Sequence, residues 1–229
     1  LLKRDGKPVG IHGIARDITA RKKVEETLLY RMRFERLITA QSTAFINCAP
    51  DEVDEGITRA LQNVGEFTGA DRSYVALFDP DPSKMSITQE WCAAGIEPQI
   101  QNLQHVPVEP LEWCLGSLRG LDVVRIPRVS ALPPEAAAVR ELFEFQHIRS
   151  VVLVPMSYGG VFMGFIGFDA VRAEREWSEE DISLLRLVGE MIVNALVRKR
   201  TVERDLQRRK ELEALSTISQ TVTQSIDLD

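Results

Sequence analysis

The last quarter of the sequence has the composition of one uninterrupted helix. Residues 177–229 contain no proline, and Gly189 is their only glycine. A continuous helix of this length would extend roughly 75 Å at ~1.5 Å per residue, far more than one small domain needs. A helix that outruns its own domain commonly connects it to another one. We therefore expect a compact domain packed against the first part of this helix, with the remainder acting as a connector.

Composition limits the classes of partner. The chain has 229 residues, 44% of them hydrophobic, which is enough for one globular core plus extensions. The net charge of −6, with 28 basic and 34 acidic residues, provides no basic field for nucleic acid or for an anionic membrane. The sequence has no apolar run of membrane-spanning length and no signal peptide, so a cytoplasmic location is expected. Because the sequence starts at Leu1 and stops within a helical pattern, we expect a piece of a longer protein.

Cysteine and histidine are too scattered to indicate a metal centre. Cys48, Cys92 and Cys114 form no Cys-x-x-Cys pair, and the three histidines are equally dispersed. Small buried residues in a reducing compartment are the interpretation we favour for these thiols. A redox role for Cys92 with Cys114 is the alternative.

The N-terminal residues resemble the end of a PAS domain. Asp5-Gly6-Lys7 is a tight-turn signal, and alternating residues from Val9 to Ala15 predict a short strand. Arg16-Asp17-Ile18-Thr19 with Arg21-Lys22 then opens a helix, and this arrangement is similar to the final strand and exit helix of PAS domains. The resemblance implies that Asp17, with Arg21, ties the strand to the helix. We assign residues 1–23 to this PAS end and 24–48 to a connector helix.

The central residues predict helices packed on an antiparallel sheet. Val53, Ile57, Leu61 and Val64 form an apolar stripe on a helix that ends at Gly69. Strands are predicted at 71–79, 83–94, 150–155 and 161–171, and Gly159-Gly160 is a hairpin turn. On the last strand, Val161, Met163 and Phe165 are predicted to share one face, and Phe162, Ile166 and Phe168 the other. A strand with two apolar faces lies inside a sheet that is covered on both sides.

The order of these elements resembles a GAF domain over about residues 37–200. The residues that carry the resemblance are Gly69-Ala70-Asp71-Arg72, Gly120 with Val123, Pro127-Arg128-Val129, Ile148-Arg149-Ser150-Val151, Val154-Pro155, Gly164-Phe165-Ile166-Gly167-Phe168 and Trp177-Ser178-Glu179-Glu180-Asp181. It implies an α+β fold: a central antiparallel sheet, connector helices on one face, pocket-forming loops and short helices on the other, and long N- and C-terminal signalling helices. We assign residues 49–199 to this domain and 200–229 to a coiled-coil connector with the start of a next module.

The chemistries of the resembled family set expectations about cofactors. The Asn-Lys pair of cyclic-nucleotide members is missing from residues 169–172, and Asp181 with Ser178 fits a helix capping box instead. The position of the bilin-attaching Cys corresponds to Arg140, so no covalent bilin is expected. The resemblance implies a ligand cavity of unknown occupancy. Its predicted lining is Trp91, Trp113, Phe143 and Phe145, with Arg125 and His147 as polar contacts.

The long helices predict a relay function. Residues 185, 188, 192, 195, 199, 202 and 206 follow the spacing of a two-stranded coiled coil, and the pattern slips by one residue near 208–210. We expect a non-catalytic sensory module that forms a homodimer through its N- and C-terminal helices and relays its state to a C-terminal output. A sensor histidine kinase is favoured, and a GGDEF-type diguanylate cyclase protein is the alternative. A free-methionine sulfoxide reductase-like enzyme and a bilin photoreceptor are less favoured functions.

Overall fold

The computed structural model describes residues 2–4, 7–10 and 19–226, and side chains at 21–25 and 27–213. The chain divides into two compact units, Leu1–Arg36 and Leu37–Asp229. In the first, strands β1 (Leu2–Arg4) and β2 (Lys7–Gly10) pair antiparallel. Helix α1 (Thr19–Asn47) begins in this unit and ends in the second. The predicted strand beyond residue 10 and the predicted role of Asp17 lie outside the described residues.

The second unit contains a six-stranded antiparallel sheet. In chain order its elements are α2 (Val53–Thr68), β3 (Arg72–Phe78), β4 (Lys84–Cys92), β5 (Val106–Pro107), α3 (Glu112–Arg119), β6 (Val124–Ile126), α4 (Ala137–Phe145), β7 (Ser150–Tyr158), β8 (Val161–Ala170) and α5 (Glu179–Ile226). The strand order is β5-β4-β3-β8-β7-β6. The predicted α+β architecture is confirmed. Strand β5 lies outside the strands that the sequence analysis predicts.

One face of the sheet is covered by α2 and α5. Val53, Ile57, Leu61 and Val64 are all fully buried, as the apolar stripe predicts, and Gly69 ends α2 in the left-handed conformation (φ 72°). The first part of α5 packs on β7 and β8. Its apolar positions 185, 188, 192 and 195 are buried there, inside the domain. At these positions the spacing therefore reflects packing on the sheet of the same domain. A three-four spacing by itself does not distinguish such packing from a coiled coil.

The start of α5 is fixed by the predicted capping box. The Asp181 backbone N–H donates to Ser178 Oγ, and the Ser178 N–H donates to Asp181 Oδ2, both at 3.1 Å. The two bonds satisfy backbone donors that the helix itself leaves unpaired. Trp177 packs its ring on Phe168 and lies beneath the guanidinium of Arg175. This confirms the structural role predicted for Asp181.

A β-bulge changes which side chains share a face on β8. The register of β7 and β8 shifts between Met156 and Ser157, opposite Gly164, whose φ is 152°. Because the shift reverses the alternation, Phe162 packs on the same side as Phe165, whereas the period-2 prediction places them on opposite faces. A Cβ at Gly164 would lie 2.1 Å from the Ala76 carbonyl oxygen, so this position requires glycine.

Candidate functional site: an apolar cavity on the sheet

A cavity of about 240 Å³ lies on the sheet face opposite α2 and α5. Strands β3, β4, β7 and β8 form its floor, and α4 with the segment from residue 103 to 111 forms its walls. The lining residues are Tyr74, Ala76, Met85, Ser86, Ile87, Leu103, Val106, Pro107, Pro110, Leu111, Leu142, Phe143, Gln146, Leu153 and Phe165. None of these fifteen residues carries a formal charge.

Strand alternation decides which side chains reach the cavity. On β3, Tyr74 and Ala76 point to the cavity, whereas Ser73 points to α2 and donates to the Leu61 carbonyl at 2.9 Å. Leu153 on β7 lines the cavity, while its neighbours Val152 and Val154 face away from it. Adjacent residues of one strand therefore contact the two opposite layers of the domain.

Buried charges lie at one end of the cavity floor. The Tyr74 hydroxyl donates to Asp169 Oδ1 at 3.3 Å, and Arg72 Nη1 donates to Asp169 Oδ2 at 3.1 Å. Arg72 Nη2 donates to the Glu97 carbonyl, also at 3.1 Å. Glu90 Oε1 lies 3.5 Å from Arg72 Nε, an ion pair that falls short of a hydrogen bond. We call Arg72, Tyr74, Glu90 and Asp169 the buried charged cluster.

Burial shifts the ionisation of this cluster. Desolvation raises the pKa of Asp169 to about 7, against the opposing effects of Arg72 and the Tyr74 hydroxyl. Desolvation, with the neighbouring Asp169 charge, also raises the pKa of Tyr74 well above its ordinary value. Burial lowers the pKa of Arg72, but the carboxylates of Asp169 and Glu90 outweigh it and raise that pKa overall.

A hydrogen-bonded strap forms part of the cavity wall. We define the strap as residues 99–107. At one end, the Glu90 carboxylate accepts the backbone N–H groups of Gln99 and Ile100 at 3.0 Å. At the other, His105 Nδ1 lies 2.7 Å from Asp79 Oδ2.

Ser86 completes the second attachment of the strap. Its Oγ accepts the backbone N–H of His105 at 2.9 Å and donates to Asp79 Oδ1 at 2.9 Å. His105 adopts a positive φ of 54°, uncommon for a residue other than glycine. The hydrogen bond from His105 lowers the pKa of Asp79. The strap is thus held at both ends by side chains that project from β4 and from the turn before it.

Of the six side chains that the sequence places in the pocket, the structure brings only Phe143 to the cavity wall. Trp91 pairs with Ser73 in the strand register and faces α2, where its ring packs over Gly65. Arg125 alternates with Val124 and Ile126, which face the cavity layer, so it points the other way and forms a bidentate pair with Glu179.

The remaining three lie on the outer surface. Trp113 is 43% exposed, on the side of α3 opposite the buried Cys114, Leu115 and Leu118. Phe145 is 77% exposed at the end of α4. His147 adopts φ 59° directly after α4 and lines a separate open cleft. Aromatic character does not determine where a side chain points: Trp113 and Phe145 occupy outward positions of their helices, and His147 lies beyond the end of α4.

Most lining residues are ordinary strand and helix positions. Tyr74 and Ala76 are found by following the alternation of β3 across to β8, where they oppose Gly167 and Phe165. Gln146 and Leu142 follow the inward face of α4 one turn apart, as their own hydrogen bond shows. To identify Met85 and Ile87 from the sequence, one would need to know the register of β4 against β3. No residue of the set has a distinctive sequence motif.

The thiols and acidic residues show no arrangement for metal binding. Among the described residues, no group of three or more His, Cys, Asp or Glu side chains is placed to hold a metal ion. Burial raises the pKa of Cys92 to about 11 and that of Cys114 to about 12. In the part of the chain that the structure describes, no helix combines the length and apolarity needed to cross a membrane.

Comparison with known sequences gives two matches. The family model described as "GAF domain" matches residues 52–196, more than half of the chain. The methanogenesis regulatory histidine kinase FilI of Methanothrix harundinacea (strain 6Ac) is 34% identical over 210 residues, which are 90% of this chain and 23% of that kinase. The chain thus spans less than a quarter of the length of this curated relative.

Similar solved structures share the fold at low sequence identity. The phycoerythrobilin-bound GAF domain of a cyanobacterial phytochrome is 16% identical with a TM-score of 0.62, over 74% of this chain and 97% of that one. A far-red-absorbing protein in its dark state with bound biliverdin IXa has the same identity and TM-score, over 72% and 99%. The Stigmatella aurantiaca phytochrome photosensory core module is 17% identical with a TM-score of 0.64, over 78% and 39%.

These structures correct the expectation about cofactors. The sequence expectation excludes a covalent bilin because no cysteine occupies the attachment position. Domains with bound bilin are nevertheless among the structures that share this fold. The exclusion of a bilin was therefore wrong as a general conclusion. The missing cysteine concerns attachment at one position only, and the fold itself accommodates the pigment.

Proposed function

Because the chain belongs to the GAF domain family, we propose that it is the sensory module of a regulatory histidine kinase and relays the state of its cavity along α5. The 34% identical kinase supports the class of output. The observation that carries the relay is the position of β7. Leu153 of this strand lines the cavity, and the opposite face of the same strand packs against α5.

Gly189 allows α5 to lie close to β7 and β8, because it has no side chain to separate the helix from Met156 and Ile166. A Cβ at this position would lie 3.3 Å from Met156 Cγ and 3.5 Å from Ile166 Cγ2, so alanine needs a shift of only a few tenths of an ångström, whereas the two additional methyl groups of valine need a larger one. Helix α5 continues beyond the domain, for 48 residues in total. A change of strand position beneath it would be transmitted along its length, because a helix of this kind moves as one element.

A chimeric kinase tests this relay. The chain would replace the aligned segment of the Methanothrix harundinacea kinase, and autophosphorylation would be measured with and without a cavity ligand. We expect the ligand to change the rate, and Gly189→Val to remove this response without preventing ligand binding. Glu190→Ala, at an exposed neighbouring position, is the matched control. An autophosphorylation rate that responds to neither ligand nor Gly189→Val would contradict the relay.

We further propose that the working form is a homodimer joined through its long helices. Val202, Leu206 and Leu212 are exposed on α5 beyond the domain core, and Val24, Leu28 and Met32 are exposed on α1. Such side chains are commonly covered by a second copy in a coiled coil. Light scattering of the 229-residue chain should give twice the monomer mass. Leu206→Glu should reduce it, Glu203→Gln should not, and a monomeric wild type would overturn the proposal.

The role of the N-terminal residues remains the proposal made from their sequence. An antiparallel strand pair followed by a helix supports the end of a PAS domain in residues 1–23. The family match does not reach these residues. An experimental structure of the full-length protein would decide whether residues 1–23 complete a PAS fold.

A bilin photosensor is the second candidate, favoured by the bilin-bound structures that share the fold. Of the three thiols, Cys114 belongs to the apolar cluster around the cavity. Because this thiol is fully buried and burial raises its pKa to about 12, non-covalent binding is expected: mixing with biliverdin should give a visible absorbance band that is lost on denaturation. A chain that stays colourless would remove this candidate.

A further inference from the structure

We propose that the cavity binds a neutral, mostly apolar molecule of one or two rings that carries a single hydrogen-bond donor. This assignment rests on the sensory function proposed above, since it names the ligand class of the same cavity. It differs from the bilin candidate in size and in charge. Three observations carry it: the chemistry of the walls, the volume, and one side-chain amide.

The walls contain no group that would compensate a charge. All fifteen lining residues are uncharged. The nearest cation in the cluster below Tyr74 is Arg72, and its guanidinium is already occupied by Asp169 and the Glu97 carbonyl. A carboxylate or phosphate entering the cavity would lose its hydration without gaining a partner, which is strongly unfavourable. The hydroxyl hydrogen of Tyr74 is also unavailable to an anion, because it is donated to Asp169.

The volume limits the ligand to a small ring system. The cavity measures about 240 Å³. An engineered apolar cavity of about 150 Å³ in another protein binds benzene, so this one has room for somewhat more than one aromatic ring. Phe143 and Phe165 supply aromatic faces, and Met85 and Leu142 supply adaptable aliphatic contacts.

Gln146 provides the polar recognition. Its side chain lines the cavity in a residue that is 5% exposed, and its Nε2 donates to the Leu142 carbonyl at 3.1 Å. Among the described residues, none donates a hydrogen bond to its Oε1. This oxygen is therefore available to accept one hydrogen bond from a ligand hydroxyl or N–H group. The geometry favours a phenol- or indole-like molecule over a pure hydrocarbon.

Three naphthalene derivatives test charge and polarity separately at constant ring size. The 229-residue chain would be titrated with 1-naphthol, naphthalene and 1-naphthoate, with thermal unfolding and calorimetry as measurements. We expect naphthol to bind most tightly, naphthalene about three- to tenfold more weakly for the loss of one hydrogen bond, and naphthoate to give no shift. Binding of naphthoate equal to that of naphthol would overturn the assignment.

Variants show whether binding occurs in this cavity. Leu142→Trp should fill it and abolish the naphthol shift, whereas Leu187→Trp, at a half-exposed position of α5, should leave binding unchanged. Leu103→Trp in the strap is the second filling variant if Leu142→Trp fails to fold. Gln146→Leu should remove the preference for naphthol over naphthalene. Naphthol binding that survives both filling variants would place the site elsewhere and contradict the proposal.

The test of the ligand class is independent of the test of the relay. Binding is measured on the chain alone, while the relay is measured by autophosphorylation of the chimera. If naphthol binds but the kinase does not respond, the sensory function fails and the ligand class stands. If naphthoate or biliverdin binds and changes the kinase rate, the ligand class fails and the relay stands.

Discussion

Tyr74 and Asp169 are joined by a hydrogen bond of 3.3 Å between Oη and Oδ1, which connects the wall of the cavity to a fully buried carboxylate. Asp169 also pairs with Arg72, and Arg72 binds the backbone at Glu97, two residues before the strap. The two residues lie side by side because β3 and β8 align Tyr74 with Gly167 and Arg72 with Asp169. A glycine at 167 is required because a Cβ there would lie 2.4 Å from the Tyr74 ring.

Asp169 should make stability depend on pH. Its pKa of about 7 lies above its ordinary value of 3.8, so between these values the folded chain holds a proton that the unfolded chain has released. The free energy of unfolding should therefore fall as pH rises through this window, by at most about 1.4 kcal/mol per pH unit, and level off above it. Urea unfolding at several pH values, for wild type and Asp169→Asn, measures the slope.

The difference between the pH dependence of wild type and that of Asp169→Asn gives the contribution of Asp169 separately from that of the other carboxylates. Asp205→Asn, at an exposed position of α5, should follow the wild type. Equal slopes for wild type and Asp169→Asn would mean that Asp169 is ionised throughout the window.

The strap should open more often when its attachment at Asp79 is removed. Asp79→Ala deletes the acceptor of both His105 and Ser86, so amide hydrogen exchange at residues 103–106 should become several-fold faster. Asp81→Ala is the matched control, since Asp81 bonds only within its own turn, to Ser83. Exchange that is unchanged in Asp79→Ala would show that the apolar contacts alone hold the strap.

Arg198 should anchor the end of α1. Its guanidinium donates to the carbonyls of Phe45, Ile46 and Cys48, at 2.7, 3.2 and 2.9 Å respectively. The Phe45 and Ile46 carbonyls belong to the last turn of α1 and have no partner within that helix, so Arg198→Ala should lower the free energy of unfolding by about 1–2 kcal/mol in urea titrations. Arg200→Ala, two residues away and exposed, should change it little. Equal effects of the two substitutions on the free energy of unfolding would show that Arg198 contributes no more than an exposed charge does.

Glycine at position 147 should stabilise the domain. His147 occupies the left-handed position of a helix ending in which its N–H bonds the Glu144 carbonyl and the Ile148 N–H bonds that of Phe143. Thermal unfolding of His147→Gly should show a gain of about 0.5–1 kcal/mol, because glycine adopts this conformation without strain. His147→Val should lose stability, since a β-branched residue fits it worst. A loss in His147→Gly would indicate that the imidazole contributes contacts of its own.

Cys114 should resist alkylation in the folded chain. It is fully buried, and burial raises the pKa of its thiol to about 12, so very little reactive thiolate exists at neutral pH. Mass spectrometry after iodoacetamide treatment should show Cys114 modified at least about tenfold more slowly than the half-buried Cys48. Urea should remove the difference. Rapid modification of folded Cys114 would revive a redox or reductase role, which the sequence leaves open.

Local patterns predict the secondary structure well in this chain. The stripe of α2, the capping box of Ser178 with Asp181 and the Gly159-Gly160 turn depend on residues close in sequence, and the structure contains all three. Helix periodicity and capping act over a few residues, so the sequence alone determines them.

The cavity depends on relationships that no local pattern contains. Trp91 faces α2 because β4 pairs it with Ser73, and Phe162 joins the cavity side because of a bulge. The sequence by itself determined the helices, the hairpin and the family resemblance. Tertiary structure decided which faces of those elements meet around the cavity, because a register shift of one residue exchanges the two faces of a strand.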